Sequence, residues 1–165
     1  MAITVDIENA STDDDVPDAS SMRCWVSAAL MTRQPDAEVA IRIVDEDESA
    51  ELNNRYRGKA GPTNILSFPA DLPEALAMPL LGDLLVCAPI VTREAACQGK
   101  QADAHWAHIL IHGTLHLLGY DHVRDEDARD MEALETEIVT GLGFPPPYDD
   151  ISTTQTTRHE TTCHD

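Results

Sequence analysis

Alternation of apolar and polar residues opens the chain, with Ile3, Val5 and Ile7 on one face of a strand predicted over residues 2–7. After the loop Ser11-Thr-Asp-Asp-Asp-Val-Pro-Asp the period changes. Met22, Trp25, Val26, Leu30 and Met31 recur in a helical rhythm, which predicts a helix over 18–33. Glu38 to Val44 reads as a second strand. Asp45 or Asp47 is placed to cap a helix over 48–56 that carries Leu52 and Tyr56 inward. A glycine- and proline-bearing loop over 58–63 leads to the short apolar stretch Asn64–Phe68, which Pro69 ends. Residues 69–79 form an acidic, proline-bearing excursion. Gly82 to Cys87 is a strand, and Pro89 starts a helix that reaches Cys97. Another helix runs over 102–118 and ends at Gly119, and a last one spans 126–139 with Met131, Leu134 and Ile138 as its stripe.

Four strands mixed with five helices, without regular βαβ spacing, predict an α+β domain over residues 1–144. Its core is expected from Val5, Ile7, Trp25, Val26, Leu30, Ile41, Ile43, Leu52, Leu84, Val86, Trp106, Ile109, Leu115, Leu134 and Ile138. Residues 145–165 change character to a Pro- and then Ser/Thr/His-rich run that cannot bury enough apolar area to fold, and are expected to be a disordered tail. No stretch reaches the length of a membrane span, and the first residues lack the basic and apolar regions of a signal peptide. The expected location is the cytoplasm, with no membrane partner. Cys24 and Cys87 fall in apolar segments and are expected to be small buried hydrophobes. The four cysteines match neither a zinc pair nor a disulfide framework.

The informative chemistry is one segment, His112-Gly-Thr-Leu-His116-Leu-Leu-Gly-Tyr-Asp-His122. Histidines four residues apart on a helix project from the same face, and the Gly119-Tyr120-Asp121 turn can swing His122 back toward them. Three neutral nitrogen ligands would leave a fourth position on the ion for water, the arrangement of a catalytic metal. His105 and His108 extend the stripe. A straight helix separates residues 108 and 116 by about 12 Å, so both cannot readily share an ion with His112. The expected ligands are therefore His112, His116 and His122, with His108 lining the cleft or supporting a ligand and His105 peripheral. Imidazoles of this kind suit one Zn²⁺, with Ni²⁺, Co²⁺ or Fe²⁺ also compatible. Asp121 is placed either to orient a ligand or to cap the turn. The residue after His112 is Gly113, so the Glu that serves as base in His-Glu-x-x-His proteases is missing, and its small size is expected to leave room above the metal.

Charge changes the picture of the substrate. Eleven basic residues face thirty acidic ones, a formal charge of −19, which opposes generic polyanion binding unless positive charge is gathered locally. Arg55, Arg57 and Lys59 provide such a gathering, three of the eleven basic residues within five positions. A guanidinium at the loop entrance can grip two phosphate oxygens and stabilise charge that grows as a P–O bond breaks, which nominates Arg57 as catalytic.

The text from His105 to His122, together with Arg55-Tyr-Arg57-Gly-Lys-Ala-Gly-Pro-Thr-Asn64-Ile-Leu-Ser67-Phe68-Pro69 and Leu81-Gly82-Asp83, resembles the YbeY family of bacterial endoribonucleases of ribosomal RNA maturation. The likeness covers about residues 2–144. It implies a zincin-like fold in which a central ligand-bearing helix lies beneath a small mixed four-stranded sheet. It also implies zinc ligands at His112, His116 and His122, and a catalytic arginine at Arg57. The implied activity is single-strand-specific, metal-dependent endonuclease cleavage in maturation of the 3′ end of 16S rRNA and in ribosome quality control. Single-stranded ribosomal RNA and components of the small ribosomal subunit are the implied partners. The rival readings are a zinc-dependent peptide or amide hydrolase, and a non-catalytic zinc-containing ribosome assembly factor.

The acidity points to a salt-rich cytoplasm, because salt screens the self-repulsion of so many like charges. The thermal midpoint should therefore rise with KCl beyond about 0.15 M; a flat profile above that concentration would remove salt adaptation as the explanation.

Overall fold

The computed structural model describes residues 3–31, 36–70, 80–120 and 125–147. Its strands are β1 (Thr4–Asn9), β2 (Glu38–Val44), β3 (Ile65–Pro69) and β4 (Leu80–Cys87), in sheet order β1-β2-β4-β3. β1, β2 and β4 run parallel, and β3 pairs antiparallel with β4 at one edge. A parallel pair needs a crossover, and α1 (Ala19–Leu30) supplies it between β1 and β2. The remaining helices are α2 (Glu46–Arg57), α3 (Ala88–Cys97), α4 (Ala102–Leu117) and α5 (Asp125–Gly141). The expected α+β class and the mixed four-stranded sheet are both present.

Register explains the core. Val5 pairs with Val39, Ile41 with Leu84, and Ile43 and Ile65 both with Val86, so one sheet face becomes continuously apolar. α4 lies against this face and is flanked by α1, α3 and α5. Ten of its sixteen residues are buried, including Trp106, Leu110, Ile111 and Leu115 with no more than traces of exposure. Each such side chain contributes about 1.5–3 kcal/mol by leaving water, which makes α4 the axis of the domain. On the opposite sheet face, Val44, Leu66 and Leu85 form a smaller cluster with Leu52 of α2 and Phe68.

Several expectations are corrected. Tyr56 does not turn inward: it is 60% exposed, its ring edge-on to Phe68 at 5.3 Å, because α2 sits on the thinly covered sheet face. α2 begins at Glu46, with three acidic residues in its first turn matching the positive end of the helix dipole. Asp45 precedes it but makes no side-chain cap. Its carboxylate accepts from the hydroxyls of Ser11 and Thr12 and from the Thr12 amide, bonds that hold it below the usual carboxylate range and pin the acidic loop. Asp18 does cap α1, accepting from Ser21 N at 2.8 Å. Cys24 is exposed on the outer side of α1, whereas Cys87 is buried as expected. Of the expected core, Ile7, Leu52 and Leu134 are only partly buried at its margins. The excursion over 71–79 and the tail from residue 148 onward lie outside the described residues.

Gly82 of β4 pairs with Pro69 of β3 beside Leu117 of α4. It holds a φ of +154°, and a Cβ there would sit 2.4 Å from the Phe68 carbonyl oxygen and 3.0 Å from Pro69 Cα. Backbone atoms cannot step aside as a side-chain end can. Gly82→Ala should therefore cost about 1–3 kcal/mol from overpacking, read as a fall in the urea midpoint at unchanged slope.

Candidate metal centre

α4 carries His105, His108, His112 and His116 along one side, and its buried residues press the other sides into the sheet and neighbouring helices. Gly113 sits against β3: a Cβ on it would meet Ile65 Cδ1 at 2.5 Å and Leu84 Cδ2 at 3.0 Å, and its carbonyl accepts from Ser67 Oγ at 3.2 Å. The space beside Gly113 is thus filled by the sheet, and the expectation that it leaves room above a metal is overturned. A larger side chain there, such as the protease glutamate, would crowd the side-chain ends of Ile65 and Leu84. Thr114 is buried too, its hydroxyl donating to Leu110 O at 2.7 Å.

The histidine stripe divides in two. His105 is 3% exposed and turns toward α3, with Nε2 2.9 Å from Glu94 Oε1; Asn64 Nδ2 donates to the same carboxylate at 3.2 Å. This network ties the loop before β3 to α3 and α4, so His105 and Asn64 are structural ties. His108, His112 and His116 form the other group. His108 Nε2 lies 2.9 Å from Glu135 Oε1, and His112 Nδ1 makes a short contact with Glu135 Oε2. His112 Nε2 faces His116 Nε2 at 3.2 Å, with the two rings 4.7 Å apart and at 83° to one another.

His108, His112 and Glu135 each offer one ligand atom within 4.8 Å of the others, a cluster able to hold a metal ion. Glu135, on α5, is fully buried, whereas the His112 side chain keeps 27% exposure and gives the group an open side. Sequence reasoning missed Glu135. The available signal was its position, four residues after Met131 and three before Ile138, on a stripe otherwise reserved for apolar side chains.

The other nominated residues are placed as follows. His122 and Asp121 lie outside the described residues. Gly119, at φ +104°, ends the helix run in the left-handed region as expected, and Tyr120 packs against the main core. Arg57 is the last residue of α2; it is exposed, and its side chain has no hydrogen bond or ion pair among the described residues. No described bond links it to the histidines. By contrast Arg42, Arg55 and Arg93 each meet a glutamate, at 2.7, 2.8 and 2.5 Å.

Comparison with known proteins adds a separate line. A family model described as endoribonuclease YbeY matches residues 6–143. A protein of that name from Pseudomonas putida (strain W619) is 55% identical over 149 residues, 90% of this chain and 94% of the relative. Its counterpart from Pseudomonas syringae pv. syringae (strain B728a) is 53% identical over 149 residues, 90% of this chain and 89% of the other. Among solved structures, the solution structure of TM1509 from Thermotoga maritima superposes with a TM-score of 0.60 at 25% identity, covering 91% of this chain and 99% of that one.

Electrostatics at the cluster can be tested without metal. Burial pushes the His108 pKa below its ordinary value, against the opposing pull of the Glu135 carboxylate. The unfolded chain then binds a proton at about pH 6.5 that the folded chain still refuses. The stability His108 confers is complete above that pH and is lost as pH falls through the lower folded value. Metal-free protein should lose thermal stability between about pH 7 and pH 5, and His108→Gln should flatten that loss; an unaltered profile in the variant would show the histidine plays no part.

Proposed function

Because the chain belongs to the endoribonuclease YbeY family, we propose that one metal ion held by His112, His116 and His122 serves an RNA-cleaving centre in which Arg57 meets the scissile phosphate. The chain is a metal-dependent hydrolase that cuts RNA internally, acting in 16S rRNA 3′-end maturation and ribosome quality control. Its substrate is single-stranded ribosomal RNA presented with components of the small ribosomal subunit, in the cytoplasm, and the working unit is the domain over 1–144.

The observation that carries this reading is the 3.2 Å separation of the His112 and His116 Nε2 atoms. Two nitrogens each about 2.0–2.1 Å from a tetrahedral ion lie about 3.3 Å apart, so the pair fits one ion with little movement. Imidazole nitrogens are borderline donors that suit zinc. A second ligand set, His108, His112 and Glu135, is also compact. In it Glu135 is fully buried and engaged by both imidazoles, whereas His112 and His116 are partly exposed, which favours the His112–His116 pair.

When bound, the ion supplies Lewis-acid polarisation of a phosphodiester oxygen and acidifies water. The protein's own residues do the rest. The partly exposed faces of His112 and His116 leave the centre open to a strand, while the sheet closes the side at Gly113. Arg57, unpaired among the described residues, can offer both guanidinium arms to phosphate oxygens and stabilise the charge that builds there. Either water or the RNA's own 2′-hydroxyl can attack, and the latter leaves a cyclic phosphate.

Chelation should abolish cleavage of unstructured RNA, zinc should restore it, and casein should stay intact throughout. Casein cleavage without RNA cleavage would replace this reading with a peptide hydrolase. Arg57→Ala should lower turnover about 10²–10³-fold with metal content unchanged, the scale for losing one charge-stabilising donor; full turnover would take Arg57 out of the scheme. Normal rRNA processing in a His116→Ala strain would favour the assembly-factor alternative.

A further inference from the structure

Glu135 is the one fully buried acid among the described residues, and it stands where a packing helix would place an apolar side chain. Its neighbours on the same stripe of α5, Met131 and Ile138, are ordinary core residues. A carboxylate taken out of water needs donors to both oxygens, and here each oxygen has one imidazole: His108 Nε2 on Oε1 and His112 Nδ1 on Oε2. An ionised carboxylate only accepts. Each histidine must therefore direct an N–H at it, which fixes both tautomers.

The consequence for His112 is specific. With its proton committed to Nδ1, Nε2 carries a lone pair and no proton, and that atom is the one facing His116 Nε2 at 3.2 Å. We propose that Glu135 is a positioning residue that locks His112 in the Nδ1–H tautomer and aims its Nε2 at the ion, with His108 as the second donor that fixes the carboxylate. The proposal rests on the reading in which His112 and His116 ligate together. It assigns Glu135 to the far side of the imidazole from the ion, where a carboxylate raises ligand basicity and holds the ring's angle. Gln is close to isosteric with Glu but has only one acceptor oxygen. Its amide nitrogen then confronts one of the two histidines with a donor, and where that is His112 the proton moves to Nε2 and blocks the ligand lone pair.

The test uses the full-length protein and zinc alone. In metal-free wild type, long-range ¹H–¹⁵N spectra of the imidazoles should show His112 protonated at Nδ1 and bare at Nε2. In Glu135→Gln the Nε2–H form should appear. Competition against a chelator of known affinity should show one zinc per chain in both proteins, bound about 10–100-fold more weakly by Glu135→Gln, while His116→Ala loses the tight site. A purely structural role for Glu135 would lower the melting temperature without moving the tautomer. Unchanged affinity and tautomer in Glu135→Gln overturn the proposal. Loss of the site in Glu135→Gln with its retention in His116→Ala also overturns it, making Glu135 a ligand. Absence of tight zinc binding in wild type would instead sink the metal reading itself. Should Glu135→Gln fail to fold, the wild-type spectrum decides: an Nε2–H His112 refutes the proposal, and an Nδ1–H His112 supports it.

Discussion

The close approach of α4 to the sheet at Gly113 is the constraint on which the molecule depends. With only a hydrogen at that position, the helix backbone settles against Ile65, Leu84 and Ser67, near enough for the Ser67 hydroxyl to reach the Gly113 carbonyl. That contact fixes the helix in rotation as well as in distance. Trp106, Leu110 and Leu115 are turned into the core, and the face bearing His108, His112 and His116 is turned toward α5. A larger residue there would have to displace the side-chain ends of Ile65 and Leu84 that pack against the helix.

Rotation alone does not make a metal centre, because an imidazole can present either nitrogen. α5 settles that choice by burying a carboxylate against two rings at once. Burial has a cost that water would otherwise cover, and donation from both histidines offsets it. The same energetics that make the group expensive make it rigid, since each departure forfeits a charge-assisted hydrogen bond in a nonpolar surrounding. His108 thus matters without needing to touch an ion.

Charge is handled by the same local logic. A chain of net charge −19 repels RNA at long range, and several arginines are already neutralised by glutamates: Arg42 by Glu8 and Glu48, Arg55 by Glu51, Arg93 by Glu46. Arg57 and Lys59 lie exposed at the end of α2, where the left-handed Gly58 turns the chain into the loop leading to β3. Positive charge concentrated at one loop entrance can act over contact distance even when the field of the whole molecule opposes it.

Periodicity, with cap, proline and glycine signals, located the nine elements of the described residues, since burial on one side imposes period two on strands and 3.6 on helices, and the His112–His116 spacing put two imidazoles on one helical face. These are local properties of the chain. What lies across elements was invisible there. Tyr56 reads as an inward helical position but faces solvent because the sheet face beneath α2 is only thinly covered. Asp45 reads as a cap but is spent on Ser11 and Thr12, more than thirty residues away. Glu135 reads as one acid on an acidic helix, and only the packing of α5 on α4 makes it the partner of His108 and His112. A hydrogen bond between helices depends on how they are rotated and how far apart they pack, and no sequence spacing encodes either. The chain by itself pointed to metal-binding chemistry; the tertiary packing set Glu135 against Nδ1 of His112 and left Nε2 toward His116.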